Sequence, residues 1–217
     1  MEIDLLANYP KAKRNVDQRG AAKTEEDRHI GRLFGKEYFD GDRRFGYGGY
    51  QYNARFWEPV VPAFRDRYKL GAGSTVLDVG CGKGFMMYDF VRLIPGIKIQ
   101  GIDISEYAIV NAIEDMKPFI RLANAKSLPF ADKSFDLVIS VNTVHNLAPE
   151  ECKSALREIQ RVSRKHAFVT MDAYRTPEEK QRMDAWNLTA LTYMHVDEWK
   201  ALLKDIGYTG DFYWFIP

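Results

Sequence analysis

Val76-Leu77-Asp78-Val79-Gly80-Cys81-Gly82-Lys83-Gly84-Phe85 is the stretch around which this chain is organised. An apolar run closes on an acid, glycine then recurs at every second position, and a helical pattern follows. That order predicts a strand, a tight turn and a helix start. Glycines at 80, 82 and 84 permit positive φ and let a ligand lie directly on the backbone.

Downstream, strand-like and helix-like patterns alternate. Residues 74–79 read as the first strand, 85–94 as a helix ended by Pro95-Gly96, and 98–103 as the second strand. Ser105 caps a helix with Ile109, Ile113 and Met116 on one face, stopped by Pro118. Residues 119–123 make a third strand, and 135–141 a fourth, apolar enough to be buried on both faces. Pro149 opens a helix carrying Cys152, Leu156, Ile159 and Val162. A fifth strand at 167–171 and a polar helix from Pro177 follow, and 188–194 stays ambiguous. Residues 197–206 read as a helix with Trp199, Leu202, Leu203 and Ile206 inward and Gly207 as its stop. Residues 208–216 read as a last strand. The alternation predicts an α/β fold, a doubly wound, mostly parallel sheet with helices on both faces and ligands at the carboxyl edge of its strands.

Upstream, residues 1–24 are polar and basic, with Lys11, Lys13, Arg14, Arg19 and Lys23, and read as a loosely held arm. Thr24-Glu25-Glu26-Asp27 is a helix start with acids in its first turn. Between 34 and 57 aromatics crowd together, among them Tyr38, Phe39, Tyr47, Tyr50, Tyr52 and Trp57, with glycines at 41, 46, 48 and 49. This is too aromatic for disorder and too rich in glycine for a regular element, so it reads as a structured lid. A helix follows with Val60, Val61, Phe64 and Tyr68 at helical spacing and Pro59 and Pro62 in its first turn. The organisation expected is an N-terminal helical and aromatic arm and lid over 1–56 and a main α/β domain over 57–217.

The chain has 217 residues and a net charge of +1, which makes no broad electrostatic case for nucleic acid or an anionic membrane. No apolar run approaches a membrane span, and Met1-Glu2-Ile3-Asp4 lacks the features of a signal peptide. Cys81 and Cys152, the only cysteines, supply neither a disulfide framework nor metal-ligand spacing. The expectation is a cytoplasmic protein without metal, nucleic-acid partner or membrane partner.

Three features sharpen the glycine loop. Its spacing is Gly-x-Gly-x-Gly rather than the dinucleotide Gly-x-Gly-x-x-Gly, and a carboxylate at Asp78 suits a cationic ligand better than a phosphate. Asp103 ends the second strand ~20 residues on, where an acid can chelate ribose hydroxyls. Ala123-Asn124-Ala125-Lys126-Ser127-Leu128-Pro129-Phe130 ends the third strand, followed by Asp132 and Phe135-Asp136-Leu137-Val138.

Together these residues resemble the class I S-adenosylmethionine-dependent methyltransferases, from position 74 to about 173, and most of all their small-molecule members of the quinone-biosynthesis and sugar O-methyltransferase type. The resemblance implies a seven-strand sheet, S-adenosyl-L-methionine as donor and S-adenosyl-L-homocysteine as product. By that likeness Gly80, Gly82 and Gly84 pack against the methionyl and ribose parts, Asp78 lies near the ammonium, Asp103 takes the ribose hydroxyls and Ile104 sits against the adenine. Asn124, beside Ala125, stands where the family usually has Asp. Its oxygen still accepts from the adenine amino group, without charge assistance. Gly84 serving only helix packing and Asp103 serving only as a helix cap are the plainer alternatives.

Methyl transfer asks the protein to align the acceptor with the methyl–sulfur bond and, often, to remove a proton. His145, after the fourth strand, is the candidate general base, with Asp172 to orient or charge-stabilise it. The alternative is a histidine that only packs or bonds the backbone. Asn142 contacts the methionine end of the cofactor or fixes the loop. Tyr47, Tyr50 and Tyr52 would close over the methyl group, which makes Tyr50 a third candidate catalytic residue. Arg43, Arg44 and Arg55 would select an anionic acceptor. His195 either reaches the substrate or is structural, and His29 and His166 read as structural or solvent-facing.

The expected activity is methyl transfer to an oxygen or nitrogen of a small molecule, with a homodimer left open. A non-catalytic cofactor-binding regulator or partner subunit and an aminopropyltransferase are the competing readings. The Asn/Asp-Pro-Pro-Tyr pattern of base N-methyltransferases, the carboxylate set of the metal-dependent catechol type and the paired-glutamate loop of protein arginine methyltransferases are absent.

Overall fold

A computed structural model describes residues 1–10 and 23–217 of the chain. The basic positions Lys11, Lys13, Arg14 and Arg19 lie outside the described residues. Seven strands form the sheet: β1 (Thr75–Val79), β2 (Lys98–Asp103), β3 (Ile120–Leu122), β4 (Phe135–Val141), β5 (Ser163–Tyr174), β6 (Met194–His195) and β7 (Asp211–Phe215). Their order is β3-β2-β1-β4-β5, with both β6 and β7 paired to β5. Every strand pairing is parallel. The chain winds outward from β1 through β2 to β3, then crosses back to β4 on the other side of β1. That reversal opens a crevice at the carboxyl ends of β1 and β4, where ligands bind in open α/β sheets.

Successive strand residues point to opposite faces, and both faces are covered. Val76, Leu137, Ile139 and Phe168 pack on one side with Phe64, Met87 and Phe90. Leu77, Val79, Val138 and Val169 pack on the other with Leu156, Ile159 and Trp199. The first side is covered by α4 (Val61–Tyr68) and α5 (Phe85–Leu93), the second by α7 (Pro149–Val162) and α9 (Val196–Asp205). Phe64, Phe90, Phe168 and Trp199 are all fully buried, and each such side chain contributes about 1.5–3 kcal/mol relative to exposure.

The remaining helices are α1 (Glu25–Arg32), α2 (Lys36–Asp40), α3 (Ala54–Trp57), α6 (Glu106–Val110) and α8 (Pro177–Trp186). Thr24 and Asp27 form a reciprocal capping box at the start of α1, as the sequence pattern predicts. Among the described residues no helix is long and apolar enough to cross a membrane, and no group of three or more His, Cys, Asp and Glu could hold a metal ion.

Several boundaries differ from the sequence reading. The helix after Ser105 ends at Val110, and a separate 3-10 turn spans Glu114–Phe119 with Pro118 inside it. The break falls where the Ile113 N–H leaves the helix and donates to Lys83 O at 3.1 Å. Strand β5 runs from Ser163 rather than 167, because Ser163 and His166 pair with Phe135 and Leu137. His166 is therefore a strand residue. The ambiguous 188–194 stretch is mostly irregular: the Asn187 side chain both accepts from and donates to the Ala190 backbone, closing a turn. The first residues are not a loose arm. Ile3 N–H donates to Phe212 O at 3.0 Å, and Leu5 is buried among residues of α4.

Candidate active site

A cavity of about 1600 Å³ lies over the carboxyl ends of β1, β2, β4 and β5 and is roofed by residues from 34–57. The glycine loop forms one end. Gly80, Gly82 and Gly84 have φ of 82°, 55° and 76°. Both Gly80 and Cys81 N–H groups donate to Ile102 O, at 2.8 and 3.0 Å, which pins the loop to β2. A Cβ on Gly80 would lie 2.2 Å from Thr143 Oγ1, so this glycine is required by close approach as well as by φ. Gly84 departs from the expected role: it is not among the cavity residues, and a Cβ there would meet Met116 and Ile120 at 3.1 Å. It serves helix packing. The Cys81 thiol is buried, which pushes its pKa up and leaves it inert as a nucleophile.

Two acids meet at this end. Asp103 Oδ2 accepts from Gly82 N–H at 2.7 Å and Oδ1 from Ser105 N–H at 2.8 Å. Burial raises its pKa, and these backbone donors oppose the rise. Asp78, 3% exposed, receives no hydrogen bond from any described residue. Burial, and then the neighbouring Asp103 charge, push its pKa up to about 8. A buried carboxylate left unpartnered beside a second acid, in a cavity wall, is matched by a cationic ligand and mismatched to a phosphate. Ile104 is half exposed in the wall, and Ala125 also lines the cavity. Asn124 also lines the cavity, but its Oδ1 already accepts from Lys126 N–H at 3.1 Å and has one lone pair left.

The end of β4 supplies the middle of the cavity. Asn142 holds φ of 53°, an uncommon conformation for a residue with a side chain. Its N–H donates to Thr170 Oγ1 and its Oδ1 accepts from the same hydroxyl, both at 2.9 Å. His145, 4% exposed, sits in a 3-10 turn (Val144–Asn146). Its Nδ1 accepts from Asp172 N–H at 3.0 Å, and its Nε2 lies 3.6 Å from Asp172 Oδ1. Burial lowers its pKa, with the Asp172 charge opposing. With Nδ1 accepting from a backbone N–H, the neutral ring carries its proton on Nε2, which faces Asp172 Oδ1 at 3.6 Å. Trp199 Nε1 holds Asp172 O at 3.0 Å from the core side.

The roof is aromatic. Tyr50 is sandwiched between Tyr47, at 4.1 Å between ring centroids, and Phe85 at 4.6 Å. Burial pushes the Tyr50 phenol well above its ordinary pKa, keeping it neutral. The Tyr52 hydroxyl turns away to Asp89 Oδ1 at 2.6 Å, and desolvation with that contact raises its pKa to about 12. Arg43, Arg44 and Arg55 line the cavity: Arg43 donates to Gly46 O, Arg44 stacks over Phe45, and Arg55 stacks over Phe56. His195 is not brought to the cavity. It starts α9, where its Nδ1 accepts from Asp197 N–H at 3.2 Å and its Nε2 contacts Arg175 O at 2.9 Å.

Sequence reasoning missed two wall residues. Arg32, at the end of α1, has a buried Nε with no partner, and Asn146 has a buried Oδ1 with none. Asn146 Nδ2 donates to Asn142 O at 3.3 Å, which fixes which way the amide faces. Neither residue belongs to a motif, so only the assembled cavity reveals them.

Residues 77–171 match the methyltransferase domain family. The core of this chain is a class I methyltransferase domain. That family uses S-adenosyl-L-methionine as methyl donor and yields S-adenosyl-L-homocysteine. The tRNA (carboxymethyluridine(34)-5-O)-methyltransferase of Arabidopsis thaliana is 31% identical over 143 residues, covering 65% of this chain and 33% of that protein. The malonyl-[acyl-carrier protein] O-methyltransferase of Legionella pneumophila is 28% identical over 148 residues, covering 66% and 50%. The ubiquinone/menaquinone biosynthesis C-methyltransferase UbiE of Hahella chejuensis is 30% identical over 141 residues, covering 59% and 55%. The chain thus spans about a third to about half the length of these curated relatives. Among solved structures, the YcgJ protein from Bacillus subtilis shares the fold at TM-score 0.54 and 21% identity over 67% of this chain and 66% of that one.

Proposed function

We propose that this methyltransferase moves the methyl group of S-adenosylmethionine to a nucleophilic oxygen or nitrogen of a small anionic molecule. The observation that supports this reading is the two-ended cavity: buried Asp78 with Asp103 at the glycine loop, and Arg32, Arg43 and Arg44 in its wall at the roof end. The acidic end fits a positively charged nucleoside, and the basic end fits a carboxylate or phosphate on the acceptor.

When bound, the cofactor supplies a methyl group already activated on a sulfonium. Asp78 would hold the ammonium, Asp103 and the Gly80 and Gly82 backbone would hold the ribose and methionyl parts, Ile104 and Ala125 would flank the adenine, and Asn124 would offer it an oxygen. Asn142 faces the methionine end. Tyr47 and Tyr50 exclude water from the reacting centre, and Arg43 holds the acceptor's anionic group. For a hydroxyl acceptor, Asp172 would take the released proton, with His145 Nε2 3.6 Å from its Oδ1 helping to hold it in place. An amine acceptor gives its proton to solvent, and the His145–Asp172 pair is then dispensable. On this reading residues 57–217 form the catalytic body and the upstream segment its cover.

The relative from Arabidopsis, named for its action on tRNA, favours an RNA acceptor as the second reading. Incubation with methyl-labelled S-adenosylmethionine and fractionated host extract separates the two. Label in the small-molecule fraction is expected; label in RNA overturns the choice of acceptor. Cofactor retention without label transfer to any fraction supports a regulatory protein instead.

A further inference from the structure

Lys83 lies between two glycines of the loop, yet it is only 3% exposed. Its Nζ sits 2.6 Å from Asp40 Oδ2 and donates to Tyr50 O at 2.9 Å. The Tyr107 hydroxyl donates to the same Asp40 oxygen at 2.7 Å, and Tyr50 N–H donates to Asp40 Oδ1 at 2.9 Å. Asp40 therefore joins the glycine loop, α6 and the roof. Local structure gives the ammonium nothing: it stands at the amino end of α5, where the helix dipole is itself positive. A buried ammonium is costly unless paired, so what keeps Lys83 inside is the roof.

The same contact covers the loop. A Cβ on Gly82 would lie 3.5 Å from the Tyr50 ring and 3.7 Å from the Phe39 ring. Tyr38 and Tyr47 pack edge to face behind them, and the Tyr52–Asp89 bond forms a second anchor on α5. We propose that Asp40 and Lys83 are a latch that couples retention of the cofactor to closure of the roof. The inference rests on the cofactor reading above. While the pair is formed, Tyr50 and Phe39 stay over the loop, and a ligand resting on Gly80 and Gly82 leaves only when the pair breaks. On opening, both charges regain water, which offsets the lost attraction and makes the contact reversible rather than a permanent weld. Asp40, Lys83 and Tyr107 are positioning residues, since they act on the cofactor through Tyr50 and the loop.

The test is the dissociation rate of labelled S-adenosylmethionine chased with excess unlabelled S-adenosylhomocysteine, read with hydrogen exchange of residues 34–53 in the ligand-free protein. D40N and K83M should each speed dissociation about tenfold or more, since each removes a charge-assisted buried bond. Y107F, which removes one neutral donor, should speed it about two- to fivefold. The double variant D40N/K83M strands no charge and should be no faster than the faster single variant. Exchange at 34–53 should rise in D40N while exchange in β4 and β5 stays at the wild-type level. Wild-type dissociation and exchange in folded D40N and Y107F would overturn the latch, leaving a pair that serves stability alone. Should K83M fail to fold, D40N and Y107F decide. Failure of the wild-type chain to retain cofactor would overturn the cofactor reading, and the exchange data would still judge the latch.

Discussion

The two ends of the cavity are built differently. The glycine-loop end is made by one continuous stretch, Asp78 to Phe85, and its neighbour Asp103, joined by the Gly80 and Cys81 N–H bonds to Ile102 O and the Gly82 N–H bond to the Asp103 carboxylate. The roof end is assembled from segments far apart in the chain: α1, the aromatic stretch 34–57, the β4 loop and the turn after Trp186. The first end depends on backbone geometry, so it is intolerant of an added atom. The second depends on side-chain contacts, so its substitutions cost less and change specificity or timing first.

The comparison can be broken most sharply at Gly80. Replacing it with alanine forces a Cβ to within 2.2 Å of Thr143 Oγ1 and strains a φ of 82°. A loss of about 2–4 kcal/mol of stability is expected, with loss of cofactor binding, measured by urea unfolding and calorimetric titration with S-adenosylhomocysteine. Gly84→Ala, outside the cavity, should lose about 1–2 kcal/mol yet keep its affinity in whatever fraction folds. Equal loss of affinity in both variants would erase the distinction drawn between these glycines.

Asp78 offers the next largest effect. Its pKa rises from 3.8 to about 8 in the fold, so the folded state holds a proton that the unfolded state has lost. Stability at this site therefore falls as pH rises between those values. The ligand's ammonium prefers the ionised form, so affinity for S-adenosylhomocysteine should climb with pH by up to ~tenfold per unit, flattening near pH 8, where that ammonium also titrates. Asp78→Asn should weaken binding and remove that slope. A slope that survives the substitution would assign the proton elsewhere.

His145 contributes with the opposite sense. Its pKa is held below the ordinary value of 6.5, so the unfolded chain takes up a proton that the folded chain resists, and stability drops as pH falls below that value. His145→Gln should lessen the acid sensitivity of the urea midpoint. An unchanged pH profile would show that the ring is not held neutral. The smallest effect belongs to His195, which caps α9. Its replacement by alanine should cost about 0.5–2 kcal/mol in urea unfolding and leave cofactor affinity unchanged. A drop in affinity would restore it to the site.

Much of this was legible in the residues. Alternating apolar runs announced the sheet, and β4 begins and ends where its pattern does. The spacing of Asp78, the glycines and Asp103 pointed to the acidic end of the cavity, because those residues lie on or beside adjacent strands. His195 and Gly84 misled because a histidine or a glycine looks alike in a site, a cap or a packing contact. The position of His145 after β4 was legible, but its tautomer was not, since that depends on Asp172 N–H arriving from β5.

By itself, then, the sequence determined the strand–loop–helix, the parallel sheet and the acidic end that a cationic nucleoside fits. All are consequences of period, glycine spacing and local hydrogen bonding. Only the tertiary structure decided what covers that end. Nothing local assigns Lys83 a partner; Asp40, 43 positions earlier, comes beside it only in the fold. Arg32 and Asn146 became visible only as polar atoms that packing had left without partners. Long-range pairing of this kind has no period and no motif, because it is set by which segments the sheet brings to one edge.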